Sequence, residues 1–130
     1  MANLEALPDD VLREILSLTQ ANSKLALRES ATNNFMPFAH HVYENFIEGA
    51  HHRIIAEKLE QVAQGKLKRL IINMPPRHSK SEFASFLMPA WFLGRNPKLK
   101  IIQATHNTEL AVRFGRKVRD MIDDPAYKEI

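Results

Sequence analysis

The chain has 130 residues, of which 45% are hydrophobic and 25% charged, a composition typical of one globular domain. Lys and Arg number 18 and Asp and Glu number 15, so the formal charge of +3 suits an anionic partner without requiring one. The sequence has no cysteine, which excludes disulfide frameworks, iron–sulfur clusters and thiolate zinc sites, and no apolar run of roughly 18 residues that could cross a membrane.

Residues 1–49 are predicted to form a helical N-terminal segment. Pro8 suits the first turn of a helix, and apolar residues of the range 11–19 share one helical face. A second, short helix is predicted over residues 24–30. The apolar residues of the range 35–47 are expected to pack this segment against the main core.

Residues 50–130 alternate helical and strand patterns. Helices are predicted over residues 50–64, 81–92 and 108–123, and strands over residues 67–73 and 99–104. The consecutive apolar residues Leu70-Ile71-Ile72 are typical of a strand buried on both faces, as in a parallel sheet. The order of elements is a βαβ unit followed by another helix, which predicts an α/β fold with a parallel sheet.

Local signals mark the predicted helices. Gly65 suits the C-cap of the first, and Asn107 or Thr108 the N-cap of the third. In the second, periodicity turns Phe83 and Trp91 inward, and Pro89 is expected to kink the helix.

One loop carries the residues with the clearest chemistry. The stretch Met74-Pro75-Pro76-Arg77-His78-Ser79-Lys80-Ser81 follows a predicted strand and opens a predicted helix, which is the context of the phosphate-loop pattern G-x-x-x-x-G-K-[ST]. Lys80 and Ser81 match the last two positions of that pattern, whereas Met74 and Ser79 replace its two glycines.

The residue types of this loop suit phosphate binding. Free amides and a partial positive charge at a helix N-terminus attract phosphate groups. Lys80 is expected to reach the β- and γ-phosphates of a nucleotide, and the Ser81 hydroxyl to ligate Mg²⁺. Arg77 is expected either to stabilise charge on the transferred phosphoryl group or only to add phosphate affinity and solubility. An ordinary exposed helix start is the alternative interpretation for Lys80 and Ser81.

Three stretches carry a family resemblance. The segments LIINMPPRHSKSEFAS, PAWFLGRNP and IIQATHNTELAVRFGRKVRDMI resemble, in order and spacing, the large terminase subunit of tailed bacteriophages, over roughly residues 50–124. Members of that family commonly carry a loop of the type PPRHGKSE after a hydrophobic strand. The resemblance implies a P-loop NTPase sheet and an ATP-hydrolysing motor that packages viral DNA into a procapsid in the host cell cytoplasm. The family's full chain also holds a nuclease domain.

The resemblance also implies roles for individual residues. Lys80 would be the Walker A lysine, and His52 lies in the region where the family often carries an adenine-reading glutamine. Catalytic roles fall to Arg77 and Lys80. The expected nucleotide-binding residues are His52, Arg53, Arg77, His78, Ser79, Lys80 and Ser81. No strand ending in an acidic pair follows the loop, so residues 50–130 are interpreted as the first part of the ATPase domain, before Walker B.

The implied cofactors are ATP and Mg²⁺, and the implied partners are double-stranded viral DNA, the portal, the small terminase subunit and further copies in a ring. The last predicted helix is basic and is expected to contact DNA phosphates, a neighbouring subunit or solvent; its basic residues are Arg113, Arg116, Lys117 and Arg119. Two alternatives remain open: another P-loop ATPase that acts on DNA (helicase-like or recombination), and a non-catalytic basic module that binds DNA or a partner protein.

Overall fold

The structure is a computed structural model that describes residues 8–43 and 45–130. Predictions for residues 1–7 and for Glu44 therefore lie outside the described residues. In chain order the elements are α1 (Asp9–Asn33), α2 (Phe35–Val42), α3 (Ala50–Ala63), α4 (Lys80–Glu82), a π-helical turn (Phe83–Leu87), α5 (Met88–Arg95), α6 (Thr108–Asp123) and α7 (Pro125–Lys128). Within that part of the chain none of the helices is both long and hydrophobic enough for a bilayer span.

The predicted α/β fold is wrong. The structure is 68% helix, and among the residues that it describes there is no strand and no parallel sheet, so the βαβ unit and the P-loop NTPase sheet are both absent there. A strand exists only where its backbone N–H and C=O groups pair with a neighbouring strand. Residues 67–73 and 99–104 find no such pairing within residues 8–43 and 45–130.

The first of these segments nevertheless keeps a two-residue alternation. Leu70, Ile72 and Met74 pack against the core, whereas Ile71 between them is 93% exposed. In the second segment Ile102 is 97% exposed. Neither segment is buried on both faces as predicted: one face of the first is open to solvent, and most of the second is exposed.

The N-terminal segment forms one long helix where two were predicted. Helix α1 runs without a break from Asp9 to Asn33. Its polar residues are accommodated inside the helix, because their hydroxyls donate to carbonyls three or four residues earlier in the same helix. These bonds are Ser17 to Glu14 at 2.8 Å, Thr19 to Ile15 at 2.7 Å and Ser23 to Gln20 at 2.9 Å.

An aromatic cluster forms the core. Phe35 of α2 meets Phe83 and Trp91 edge to face, with ring centroids 5.5 Å apart in both pairs. The Trp91 indole also donates to the Ala31 and Thr32 carbonyls at 3.3 and 3.2 Å, which attaches the end of α1. The prediction that the apolar residues of the range 35–47 pack against the main core is confirmed for most of them. It is wrong for Tyr43 and Ile47, which are 40% and 87% exposed.

Residues 80–95 form one continuous helical rod made of α4, the π-helical turn and α5. Pro89 has no N–H to give to the Ser85 carbonyl four residues earlier. The side-chain amide of Gln103, in the segment 99–104, donates to the Ser85 carbonyl at 2.9 Å and so replaces the missing hydrogen bond. Instead of the predicted kink at Pro89, the structure has a π-helical turn just before the proline.

The predicted helices α3 and α6 are confirmed. Helix α3 ends next to Gly65, whose φ of 72° lies in the left-handed region that favours glycine. Helix α6 begins after Asn107, whose side chain accepts from the Leu110 N–H at 2.8 Å, so the cap is Asn107 and not the alternative Thr108. Helix α6 lies along the rod of residues 80–95 and closes the molecule on the side of the loop.

Candidate functional site

The loop before residue 80 has an unusual backbone. Arg77 and Ser79 have φ angles of 66° and 58°, which lie in the left-handed region that non-glycine residues rarely adopt. Ser79 directly precedes the first helical residue, Lys80. Adjacent residues of opposite hand turn their N–H groups toward one side and make a concavity that binds anions. Ser79 therefore has the backbone shape that glycine supplies at this position of the phosphate-loop pattern.

The side chain of Lys80 folds back across the loop. Its Nζ donates to the carbonyl of Met74 at 2.8 Å, and the side chain is half-buried. The ammonium group is thereby held where the loop begins, next to the start of the helix. Ser81 follows as an exposed residue in the first turn.

Arg77 and His78 form the outer part of the loop. Both residues are exposed, and the Nδ1 of His78 donates to the carbonyl of Pro76 at 2.9 Å. His51 of α3 approaches this loop, with its ring centroid 5.8 Å from that of His78. The structure therefore places His51 of α3 beside the consecutive loop residues Arg77, His78, Ser79, Lys80 and Ser81.

The exit of the loop is anchored to the core. The Phe83 N–H donates to the carbonyl of Ser79 at 2.9 Å, and the Phe83 ring is buried among aromatic side chains. Glu82 accepts from Lys117 of α6 at 2.8 and 3.1 Å. Both contacts fix the first turn of the helix, which supports the loop geometry.

His52 lies beneath the loop. Its side chain is 6% exposed, and its ring stacks on Phe83 with centroids 5.0 Å apart. The His52 Nδ1 accepts from the Gly49 N–H at 2.9 Å, so the proton of the neutral ring sits on the buried Nε2. Burial lowers the pKa of His52 below its ordinary value, and the neighbouring His51 lowers it further.

Arg53 makes no hydrogen bond or ion pair with the loop residues 74–81. It is exposed and pairs with Glu48, which also accepts from His40 at 2.7 Å. The hydrogen bond from His40, followed by that from Arg53, lowers the pKa of Glu48. Among the predicted nucleotide-binding residues, His52 thus supports the loop from below and Arg53 belongs to a separate charge cluster.

Sequence reasoning did not single out His51 and Phe83 for the site. The adjacent histidines 51 and 52 were visible in the sequence, but only the position of α3 against the core decides that His52 turns inward and His51 toward the loop. Phe83 lies three residues after Lys80, one turn into the helix, and that spacing is a signal that could have identified it.

A cleft lies beside the loop. Its volume is about 270 Å³, and it runs between α3 and the segment 70–74, with His51 and Met74 among its lining residues. Its walls are mainly aliphatic, with Lys58 as the charged residue among them. No group of three or more residues of the types His, Asp and Glu that could hold a metal ion occurs in the described ranges 8–43 and 45–130. Ser81 as a ligand of Mg²⁺ stays a prediction.

Helix α6 presents a second charged surface. Arg113 and Arg116 are exposed, and neither forms an ion pair with another residue that the structure describes. Lys117 instead pairs with Glu82, and Arg119 with Asp120.

No family model, no curated protein and no solved structure matches this chain.

Proposed function

We propose that residues 74–81 bind the phosphates of ATP with Mg²⁺, and that the chain is the ATP-binding part of a DNA-packaging motor of the terminase large-subunit type. The observation that carries the proposal is the position of Lys80, whose ammonium group spans the loop and meets the carbonyl of Met74. The loop offers a helix N-terminus, two residues in the left-handed region and a lysine. These groups bind a polyphosphate through N–H groups and positive charge, which do not require a preceding strand.

Binding would exchange one contact of Lys80 for stronger ones. In the structure the Lys80 ammonium donates to a neutral carbonyl at 2.8 Å. Phosphate oxygens are negatively charged acceptors, and hydrogen bonds between charged groups are roughly twice as strong as neutral ones. Exposed Arg77 adds a second cation at the same loop, and the Ser81 hydroxyl would face the Mg²⁺. When bound, Mg²⁺ neutralises charge on the phosphates.

The adjoining cleft favours a nucleotide, rather than inorganic phosphate alone, as the ligand of the loop. It begins at Met74, the residue that Lys80 contacts, and its aliphatic walls suit a flat nucleobase. The base would then lie against α3 on the side of His51.

The test is a titration with a fluorescent ATP analogue, with and without Mg²⁺. Lys80→Ala removes a charged contact worth about 1.5–3 kcal/mol, so we expect roughly 10–150-fold weaker binding. Lys98→Ala is the matched control, because Lys98 is an exposed lysine outside the loop, and its affinity should equal that of the parent. Equal affinities of Lys80→Ala and Lys98→Ala would contradict the proposal, provided that circular dichroism finds both variants folded.

The second part of the proposal is that α6 contacts DNA. Arg113 and Arg116 support it, because they are exposed cations without an ion-pair partner among the described residues. Replacing both with glutamine should lower the slope of log K against log salt by about 2, since each phosphate contact contributes about one unit. Arg119→Gln is the control, because Arg119 already pairs with Asp120. An unchanged slope would remove α6 from the DNA surface.

The same two experiments distinguish the alternatives. Salt-sensitive DNA binding without any nucleotide signal would favour a non-catalytic basic module. Nucleotide and DNA binding together are equally expected for another ATPase that acts on DNA, and the terminase assignment is then tested by DNA packaging. A portal, a small terminase subunit and a ring of copies in the host cell cytoplasm belong to this proposal through the resemblance alone.

A further inference from the structure

The first part of α1 stands away from the core. The helix has 25 residues, and Ala31 near its end is its one buried residue. Residues 13–27 are all exposed, including five large aliphatic side chains: Ile15, Leu16, Leu18, Leu25 and Leu27. Most helical stability in proteins comes from packing an apolar face against something else. A long helix with so little packing therefore points to a partner.

The spacing of the apolar residues identifies the kind of partner. Val11, Ile15, Leu18, Asn22 and Leu25 are separated alternately by four and three residues, which is the seam of a coiled coil. In heptad notation Ile15 and Asn22 occupy a positions, and Leu18 and Leu25 occupy d positions. Isoleucine at a with leucine at d favours two parallel helices, and one asparagine at a fixes their register.

The polar seam residue favours a second copy of the same helix. In a parallel pair Asn22 meets its own counterpart, and the two amides can bond to each other. In an antiparallel pair a positions face d positions, so Asn22 would face Leu18 and lose that partner, which is costly for an enclosed amide. The Asn22 side chain makes no hydrogen bond to any other residue in the described part of the chain.

The charges on α1 permit this parallel alignment. Between residues 11 and 26, the positions that flank the seam carry Leu12, Glu14, Thr19, Ala21 and Ala26. Parallel pairing sets Glu14 opposite Thr19 and Ala21 opposite Ala26, so no like charges face each other. Arg13 and Lys24 lie outside the seam.

We propose that α1 pairs in parallel with α1 of a second copy of this chain, through Val11, Ile15, Leu18, Asn22 and Leu25. The base of α1 is fixed to its own chain, because Arg28 and Lys24 contact Glu129 at 2.8 and 3.6 Å. The seam from Val11 to Leu25 covers little more than two heptads, so a weak and concentration-dependent pairing is expected. The pairing is independent of nucleotide binding by the loop.

Sedimentation of the full chain over a range of concentrations tests the pairing. A monomer–dimer equilibrium is expected, and Leu18→Lys should weaken it at least about 100-fold by placing charges in the seam. Leu16→Lys is the matched control, because Leu16 is 60% and Leu18 62% exposed but Leu16 lies off the seam. A chain that stays monomeric, or two variants with equal effects, would overturn the proposal.

Cysteine crosslinking tests the direction of the pairing. The sequence has no cysteine, so a single introduced thiol reports on its own neighbour without background. Leu25→Cys should form a disulfide-linked dimer under mild oxidation, and Leu27→Cys on the outer face should not. Crosslinking of Leu25→Cys only when mixed with Ile15→Cys would indicate antiparallel helices and contradict the parallel register.

Discussion

Phe83 joins the candidate loop to the aromatic core, and its replacement should be among the most damaging in the chain. Its buried ring lies 5.0 Å from His52, 5.5 Å from Phe35 and 5.6 Å from Phe46, measured between ring centroids. Its backbone N–H also holds the carbonyl of Ser79. The residue therefore links α2, α3 and the loop.

The size of the effect follows from these contacts. Removing a buried phenylalanine ring costs about 3–5 kcal/mol, which is a large part of the roughly 5–15 kcal/mol that stabilises a domain. Phe83→Leu keeps most of the apolar volume but loses the aromatic pairings, each worth about 0.5–1.5 kcal/mol. We therefore expect Phe83→Ala to lower the free energy of unfolding by about 3–5 kcal/mol and Phe83→Leu by about 1–3 kcal/mol.

Urea unfolding measures this difference. The chain has one tryptophan, and Trp91 lies buried in the same cluster, so its fluorescence reports on the core that Phe83 fills. Linear extrapolation then gives the free energy of unfolding for each variant. Phe92→Ala is the control, because Phe92 is only partly buried. If Phe92→Ala cost as much as Phe83→Ala, the aromatic cluster would not be the core described above.

Three further predictions concern protonation, backbone strain and capping. Because the pKa of His52 is lowered, the unfolded chain takes up the proton first as the pH falls, so the free energy of unfolding decreases below pH 6.5. Urea unfolding at different pH values should show a decrease of at most about 1.4 kcal/mol per pH unit, which His52→Phe should lack. Equal pH dependence of the two proteins would contradict the burial of His52. Ser79→Gly relieves a left-handed serine and should raise the free energy of unfolding by about 0.5 kcal/mol, whereas a loss of stability would argue against the loop conformation. Asn107→Ala removes the cap of α6 and should lower the free energy of unfolding by about 1 kcal/mol, measured by thermal unfolding. Thr108→Ala should lower it clearly less.

The sequence predicted those elements whose signals are local. Helix α6 has the predicted bounds, and its cap is Asn107, one of the two residues predicted for that position. Helix α3 likewise ends beside Gly65. The inward direction of Phe83 and Trp91 on the helix after the loop followed from helical periodicity and is also confirmed.

The elements that depend on distant partners could not be predicted in this way. Ile71 and Ile102 have the side chains of buried strands, yet both face solvent because no neighbouring strand pairs with their segments in the part of the chain described. The gap predicted between residues 19 and 24 is wrong for another reason, since Ser23 in that gap donates its hydroxyl to the Gln20 carbonyl inside the helix. For the site, the phosphate-loop pattern correctly predicted Lys80 at the start of a helix. The burial of His52 depends on the packing of α3 against the core, which the sequence pattern does not contain.

The most direct measurement of the central claim is the change in backbone amide resonances on adding a non-hydrolysable ATP analogue with Mg²⁺. The resonances of residues 77–81 should shift in a saturable way, and those of His51 and Met74 at the adjoining cleft should follow. The resonances of α1 provide the internal reference and should stay in place. If the loop resonances did not move, or if only those of α6 did, residues 74–81 would not be a nucleotide-binding loop.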